Sequence, residues 1–270
     1  MGLFDVIDEI AEKQITKTET GDNRIFGVMT GIVAKNYDKD MPGRICVTIP
    51  VRDNEANELK WARMVMPSSG EKWGHYFLPE VGDQVLLVFE QGNIEKPFVI
   101  GCIPKDNNRF LTSSVDESNQ YKKIITKNGN AIIFEDNKEG DGEKDKIEIT
   151  TPKQEHSITL DNEKKQISIK DKEGKNQIVL KTEAGQLQIN AEKKMVINVG
   201  DSITVTMNGS NGTVSIECNK FNVKGGNGII MESNASAKLS GANVTMEATS
   251  LLKANSNGTA IIQGMPIKIG

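Results

Sequence analysis

The sequence predicts an all-β protein in three parts. A short N-terminal helix leads into a small closed β-barrel, and a long run of short strands follows, wound with two further copies of the chain into an intertwined trimeric β-helix or β-prism. Three observations predict it. Five strand-like runs punctuated by Gly and Pro fall within residues 24–105. From about residue 120 onward, apolar residues recur as apolar-x-apolar dyads down to the C-terminus. The 270-residue chain is also only 37% apolar and 5% aromatic against 26% charged, which is lean for the single core of a compact enzyme of this length. Disorder is not expected either, because Pro is scarce and Ile and Val recur at short intervals.

Residues 1–22 form the helical segment. Leu3, Ile7, Ile10 and Gln14 follow helical spacing, with Phe4 and Ala11 widening the apolar stripe. Asp5, Asp8 and Glu9 precede Lys13 and Lys17, the order that suits the helix dipole. A helix this short is marginal alone in water, so its stripe needs a partner surface, on its own domain or on another subunit.

Residues 23–108 carry the runs 25–33, 44–49, 61–66, 81–90 and 98–103, broken at 41–43, 67–70 and 91–93. Five strands with no strong helix between them have the dimensions of an OB-fold barrel. Pro79 is expected to start a strand, Gly82 and Asp83 to make its tight turn, and Val85, Leu87 and Phe89 to alternate into the core. Gly92 and Asn93 are expected to take positive φ in the next hairpin, with Pro97 stiffening its exit. Residues 109–121 read as a linker.

Residues 122–270 hold the dyads, from Ile147/Ile149, Ile158/Leu160 and Ile167/Ile169 to Ala260/Ile262 and Ile267/Ile269. Met207-Asn-Gly209, Val223-Lys-Gly225 and Leu239-Ser-Gly241 repeat an apolar-x-Gly signature every sixteen residues. Strands this short cannot enclose a wide core within one chain, whereas three chains about a common axis can, which is the reason to expect a homotrimer. Ile203, Val205, Val223, Leu239 and Ile262 are its core candidates, and one member of each dyad is expected to face the axis and the other outward. The charge falls from about 29 side chains in residues 120–199 to about 9 in 200–270, as in a rod that narrows distally.

Chemistry is sparse. Net charge is −4, and residues 21–110 carry about eleven basic and twelve acidic side chains, so no phosphate groove and no nucleic-acid partner are expected. Cys46, Cys102 and Cys218 are widely spaced and odd in number, which suggests no disulfide framework. His75 and His156, the two histidines, read as a loop residue and a solvated residue. The acidic loop 136–145 lacks the spacing of a calcium loop. No catalytic residue, metal ligand or cofactor is assigned, and the protein is expected not to be an enzyme. A cell-wall glycosidase is the sharpest enzymatic alternative, and it would need two carboxylates placed in a cleft. The N-terminus is acidic where a signal peptide is basic, and no apolar run has membrane-spanning length, so synthesis and assembly in the cytoplasm are expected.

The barrel segment also carries an ordered pattern: Gly43-Arg-Ile-Cys-Val-Thr-Ile-Pro50, Trp61-Ala-Arg-Met-Val-Met-Pro67, Trp73-Gly-His-Tyr-Phe-Leu-Pro-Glu-Val-Gly-Asp83, then Gln84 to Gly92 and Lys96-Pro-Phe-Val-Ile-Gly101. It resembles the OB-fold domain of the central spike proteins of contractile injection systems: phage baseplate protein V (gpV), the spikes of phage-tail-like bacteriocins, and the VgrG proteins of type VI secretion. Trp61, Arg63, Trp73, Gly74, Pro79, Gly82, Asp83, Gly92, Pro97 and Gly101 carry that motif as folding residues. The resemblance implies a trimeric, membrane-puncturing needle in a phage tail or tail-like particle, driven into the target cell envelope on contraction. It also implies a separate hub protein, for which Leu3, Phe4, Ile7 and Ile10 are the docking candidates. A histidine pair that would hold a tip metal is missing. A PAAR-like tip protein is therefore implied, seated on Met265, Pro266, Ile267, Lys268, Ile269 and Gly270. The alternatives are a type VI-like VgrG spike carrying effectors, or a β-solenoid adhesin or glycan-binding fibre. The latter is disfavoured because residues 122–270 contain no Trp or Tyr.

Overall fold

A computed structural model describes residues 3–19, 21, 23–49 and 59–268. The chain is mostly β with few helices, and it divides into two compact units, residues 1–192 and 193–270. The first unit opens with α1 (Leu3–Thr16), which spans the whole of the apolar stripe from Leu3 to Gln14. Its C-terminal end is tied down by Arg24. The Arg24 backbone N–H donates to Thr16 O at 2.8 Å, its Nε donates to Lys17 O at 2.9 Å, and its Nη1 reaches Gln91 O at 2.7 Å.

Five strands then close a barrel in the order β1-β2-β3-β5-β4: β1 (Met29–Lys35), β2 (Arg44–Thr48), β3 (Leu59–Met64), β4 (Gln84–Phe89) and β5 (Pro97–Cys102). All neighbours are antiparallel except β3 and β5, which run parallel. Period-2 alternation sends Val33, Ile45, Val47, Ala62, Val85, Leu87 and Val99 inward, each buried completely or nearly so. Gly31 lies where β1 crosses β4, and a Cβ there would sit 2.8 Å from Leu87 Cδ1.

Three local expectations are corrected. The first strand starts at Met29 rather than residue 25. Pro79 starts no strand; it precedes a turn in which the Asp83 carboxylate accepts from the Glu80 N–H at 2.9 Å, and β4 begins only at Gln84. In the next connection Gly92 has φ +75° as expected, but its left-handed companion is Gln91 (φ 50°) and not Asn93, whose φ is −82°. Asn93 instead uses its side-chain oxygen to accept from the Glu95 N–H, which fixes the turn without positive φ.

A single helical turn, α2 (Arg109–Thr112), capped by the Asn108 side chain, leads from the barrel into a seven-stranded antiparallel meander. Its strands are β6 (Tyr121–Ile125), β7 (Ala131–Glu135), β8 (Lys146–Thr150), β9 (His156–Asp161), β10 (Gln166–Asp171), β11 (Gln177–Lys181) and β12 (Gln186–Asn190). Asp turns join the strands: Asp161 accepts from the Lys164 N–H, and Asp171 from both the backbone and side-chain amides of Asn176.

In the second unit, β13 (Lys194–Val199), β14 (Ile203–Asn208) and β15 (Thr213–Glu217) form a three-stranded antiparallel meander. Residues 218–268 contain no helix or strand, so the dyads from Phe221/Val223 onward do not make strands within one chain. The apolar pattern is present there, but a strand also needs a neighbour to take its backbone hydrogen bonds, and this segment finds none along its own chain.

Candidate functional site

The sheet residues themselves create the most extensive candidate surface. Seven strands of matched length, joined by short turns, bring the dyads into register. Ile124, Ile132, Ile149, Ile158, Ile169, Ile178 and Ile189 are successive cross-strand partners and form one unbroken column. Phe134, Ile147, Leu160, Ile167, Leu180 and Leu187 form a second column beside it. Both columns lie on one face, because residues two apart in a strand, and residues directly opposite across a ladder, share a face. Apart from Ile147, these side chains are 37–63% exposed. A monomeric soluble protein rarely leaves so continuous an apolar surface in water.

The same rule corrects the expectation that each dyad divides between inside and outside. In the second unit Val199 pairs with Ile203, Val205 sits between Ile197 and Ile216, and Met207 between Met195 and Val214. Ile203 and Val205 therefore point the same way. Thr204 and Thr206 occupy the opposite face.

The far face of the seven-stranded sheet is mostly polar, with Ile125, Ala131, Ile133 and Val179 set among its charged and hydroxyl side chains. Lys146 sits between Glu135 at 3.2 Å and Glu148 at 3.4 Å. Partial burial works against its charge, but the two carboxylates outweigh that and hold its pKa above the usual lysine value. Asp161 is nearly buried. Burial alone would raise its carboxyl, yet the Lys164 backbone N–H, the Lys164 ammonium at 3.0 Å and Lys146 together hold it below the usual aspartate value. One face is thus satisfied by its own charges, and the other lacks cover.

Where the columns begin, Phe77 from the loop before β4 joins Ile124, Ile132, Ile149, Ile158 and Ile169 around an open apolar cavity of about 440 Å³. Ile124, Ile132, Phe134 and Phe77 belong to this surface without having been picked out among the dyads. The Ile132/Phe134 spacing was the available signal; for Phe77 there was none, since only the fold brings its loop to the sheet.

The remaining candidate residues are dispersed. Phe4, Ile7 and Ile10 on α1 are exposed, Phe4 at 80%; the side chain of Leu3 lies outside the described residues. Val223, Leu239 and Ile262 are exposed, as are Met265, Pro266, Ile267 and Lys268, while Ile269 and Gly270 lie outside the described residues. The motif residues are distributed around the barrel. Trp61 lies opposite Cys46 across β2 and β3, and Arg63 lies over the Phe98 ring at 5.9 Å. Trp73 covers Gly70 so closely that a Cβ there would meet the indole at 2.4 Å. Gly74, Gly82 and Gly92 take positive φ, Pro97 opens β5, and Gly101 lies within it.

The two histidines each face a hydroxyl: His75 Nδ1 meets that of Ser68 at 3.1 Å, and His156 Nδ1 lies 3.5 Å from that of Thr151. Burial raises the thiol pKa of both Cys46 and Cys102. Among the described residues there is no cluster of three or more metal-ligating side chains, and no helix is long and apolar enough to cross a membrane.

The described chain is thus a closed five-stranded barrel followed by two meanders of short strands. Residues 29–103 match the family model of the type VI secretion system/phage-baseplate injector OB domain. The match covers the whole barrel, so the chain carries an injector OB domain and resembles the gpV/VgrG-like spike proteins. That domain gives it a spike-like structural role in a baseplate or tail complex of a phage or type VI apparatus. No curated protein matches the chain significantly.

Proposed function

We propose that the chain is the central spike of a contractile injection apparatus, a homotrimeric needle that carries axial force to a target envelope and catalyses no reaction. The observation that carries this reading is the pair of exposed apolar columns, one running across all seven strands of β6–β12 and the other across β7–β12. Three such faces turned toward a common axis would remove them from water, at about 25 cal/mol per Å² of apolar area. The apolar face of β13–β15 would be covered in the same way, by its counterparts in the other two chains. Residues 218–268, which lack strand partners along their own chain, would find them between chains, in the intertwined part of the prism.

In this reading α1, apolar along one side and exposed, seats the spike under a hub protein. The residues from Met265 onward take a separate conical PAAR-like cap. This role is the same in any tail-like particle, with or without effector cargo. Sedimentation velocity on the full chain tests the proposal: the expected species is a trimer, and a folded monomer at micromolar concentration defeats it. The absence of enzymatic activity has its own check, because clearing of a peptidoglycan zymogram by the purified trimer would refute it.

A further inference from the structure

The outer wall of the barrel contains a second feature, independent of how many chains assemble. Arg44 on β2 and Arg63 on β3 are direct cross-strand partners. Like charges placed opposite each other destabilise a ladder, and here no carboxylate relieves them among the described residues. The nearby acids are already engaged by lysines: Glu95 pairs with Lys60, and Glu90 lies 4.0 Å from Lys96. Arg63 is also held over the Phe98 ring, its neighbour across the parallel β3–β5 ladder. Arg44, Trp61, Arg63, Pro97 and Phe98, together with Glu90, Glu95 and Lys96, line a pocket of about 310 Å³.

We infer that this pocket binds a carboxylate-bearing segment of a partner protein. Two guanidinium forks can hold one carboxylate bidentately, and the Trp61 and Phe98 rings offer apolar surface to the chain that carries it. Charge selects the partner. Glu90 and Glu95 share the pocket lining, each beside a lysine, and a barrel with slightly more acids than bases disfavours a long polyphosphate more than a short acidic segment. An acidic peptide therefore fits where a nucleic acid does not.

Fluorescence anisotropy on the full-length chain tests the inference. The probes are a labelled Glu/Leu decapeptide, its Gln/Leu counterpart, and an oligothymidylate of the same charge as the first. The Glu/Leu peptide alone is expected to bind, more weakly as salt rises. Arg44→Gln and Arg63→Gln should each weaken it about tenfold without lowering the thermal midpoint. Arg63→Lys keeps the charge but loses the planar fork, so it should weaken binding about threefold. It also supplies the comparison if Arg63→Gln does not fold. Equal binding of the Gln/Leu peptide, no binding of either peptide, a preference for the oligothymidylate, or unchanged affinity in the arginine variants overturns the inference. Trimer formation is read separately by sedimentation, so failure here leaves that result standing.

Discussion

At the scale of single residues, side-chain parity decides most outcomes. Ile203 and Val205 share a face, so Ile203→Asp and Val205→Asp should both abolish the trimer, whereas Thr204→Asp between them should leave it intact. Each disruptive change would gather three carboxylates in an apolar interior, at a cost of several kcal/mol per ion. Sedimentation of the three variants checks the assignment. Gly92 makes a different kind of demand. Its φ is +75°, and a Cβ would lie 3.0 Å from Arg24 Cβ and 3.1 Å from Ile25 N. Gly92→Ala should destabilise the barrel by about 1–2 kcal/mol in a urea melt. Asp161 makes the fold sensitive to acid. Its folded pKa is depressed, so its contribution is present above the unfolded value of about 4 and is lost as pH falls through the folded one. Asp161→Asn should flatten the loss of stability below about pH 4, measured by thermal melts across that range.

At the scale of elements, turns and strand lengths do more than propensity. Each strand from β8 to β12 has five or six residues and ends at a turn, and this equal spacing makes the columns continuous. Inserting one residue between Ser168 and Ile169 would send Ile169 to the polar face, bring Lys170 to the apolar one and break the first column at β10. That variant should lose assembly while the barrel retains its own melting transition. The dyads of β8–β15 were legible in the sequence because a period of 2 is visible wherever one face is apolar. Gln91 was not, since a left-handed residue beside a glycine carries no compositional mark. The helix α1 was legible from its stripe, but its attachment was not. Arg24 secures it by reaching Gln91 in the connection after β4, the strand beside β1, a contact between residues 67 positions apart. Because α1 presents exposed apolar residues, its amides should exchange quickly in hydrogen-exchange mass spectrometry of the free protein, and slowly once a hub covers it.

At the scale of the whole molecule, folding and association are expected to be one process for residues 121–268, because the apolar face has no cover within its own chain. The urea midpoint of the sheet signal should therefore rise with protein concentration, while that of the barrel stays constant; a concentration-independent sheet transition would count against a shared interior. The sequence by itself determined the order of parts: a helix, a five-stranded barrel with the motif of an injector OB domain, and a train of short amphipathic strands. These follow from local patterns of glycine, proline and apolar spacing. Tertiary structure alone decided which strands pair, that Phe77 reaches the first column, and that two arginines stand opposite each other on the barrel wall. The physical reason is that periodicity fixes which way a side chain points relative to its own strand, whereas register between strands fixes its neighbours.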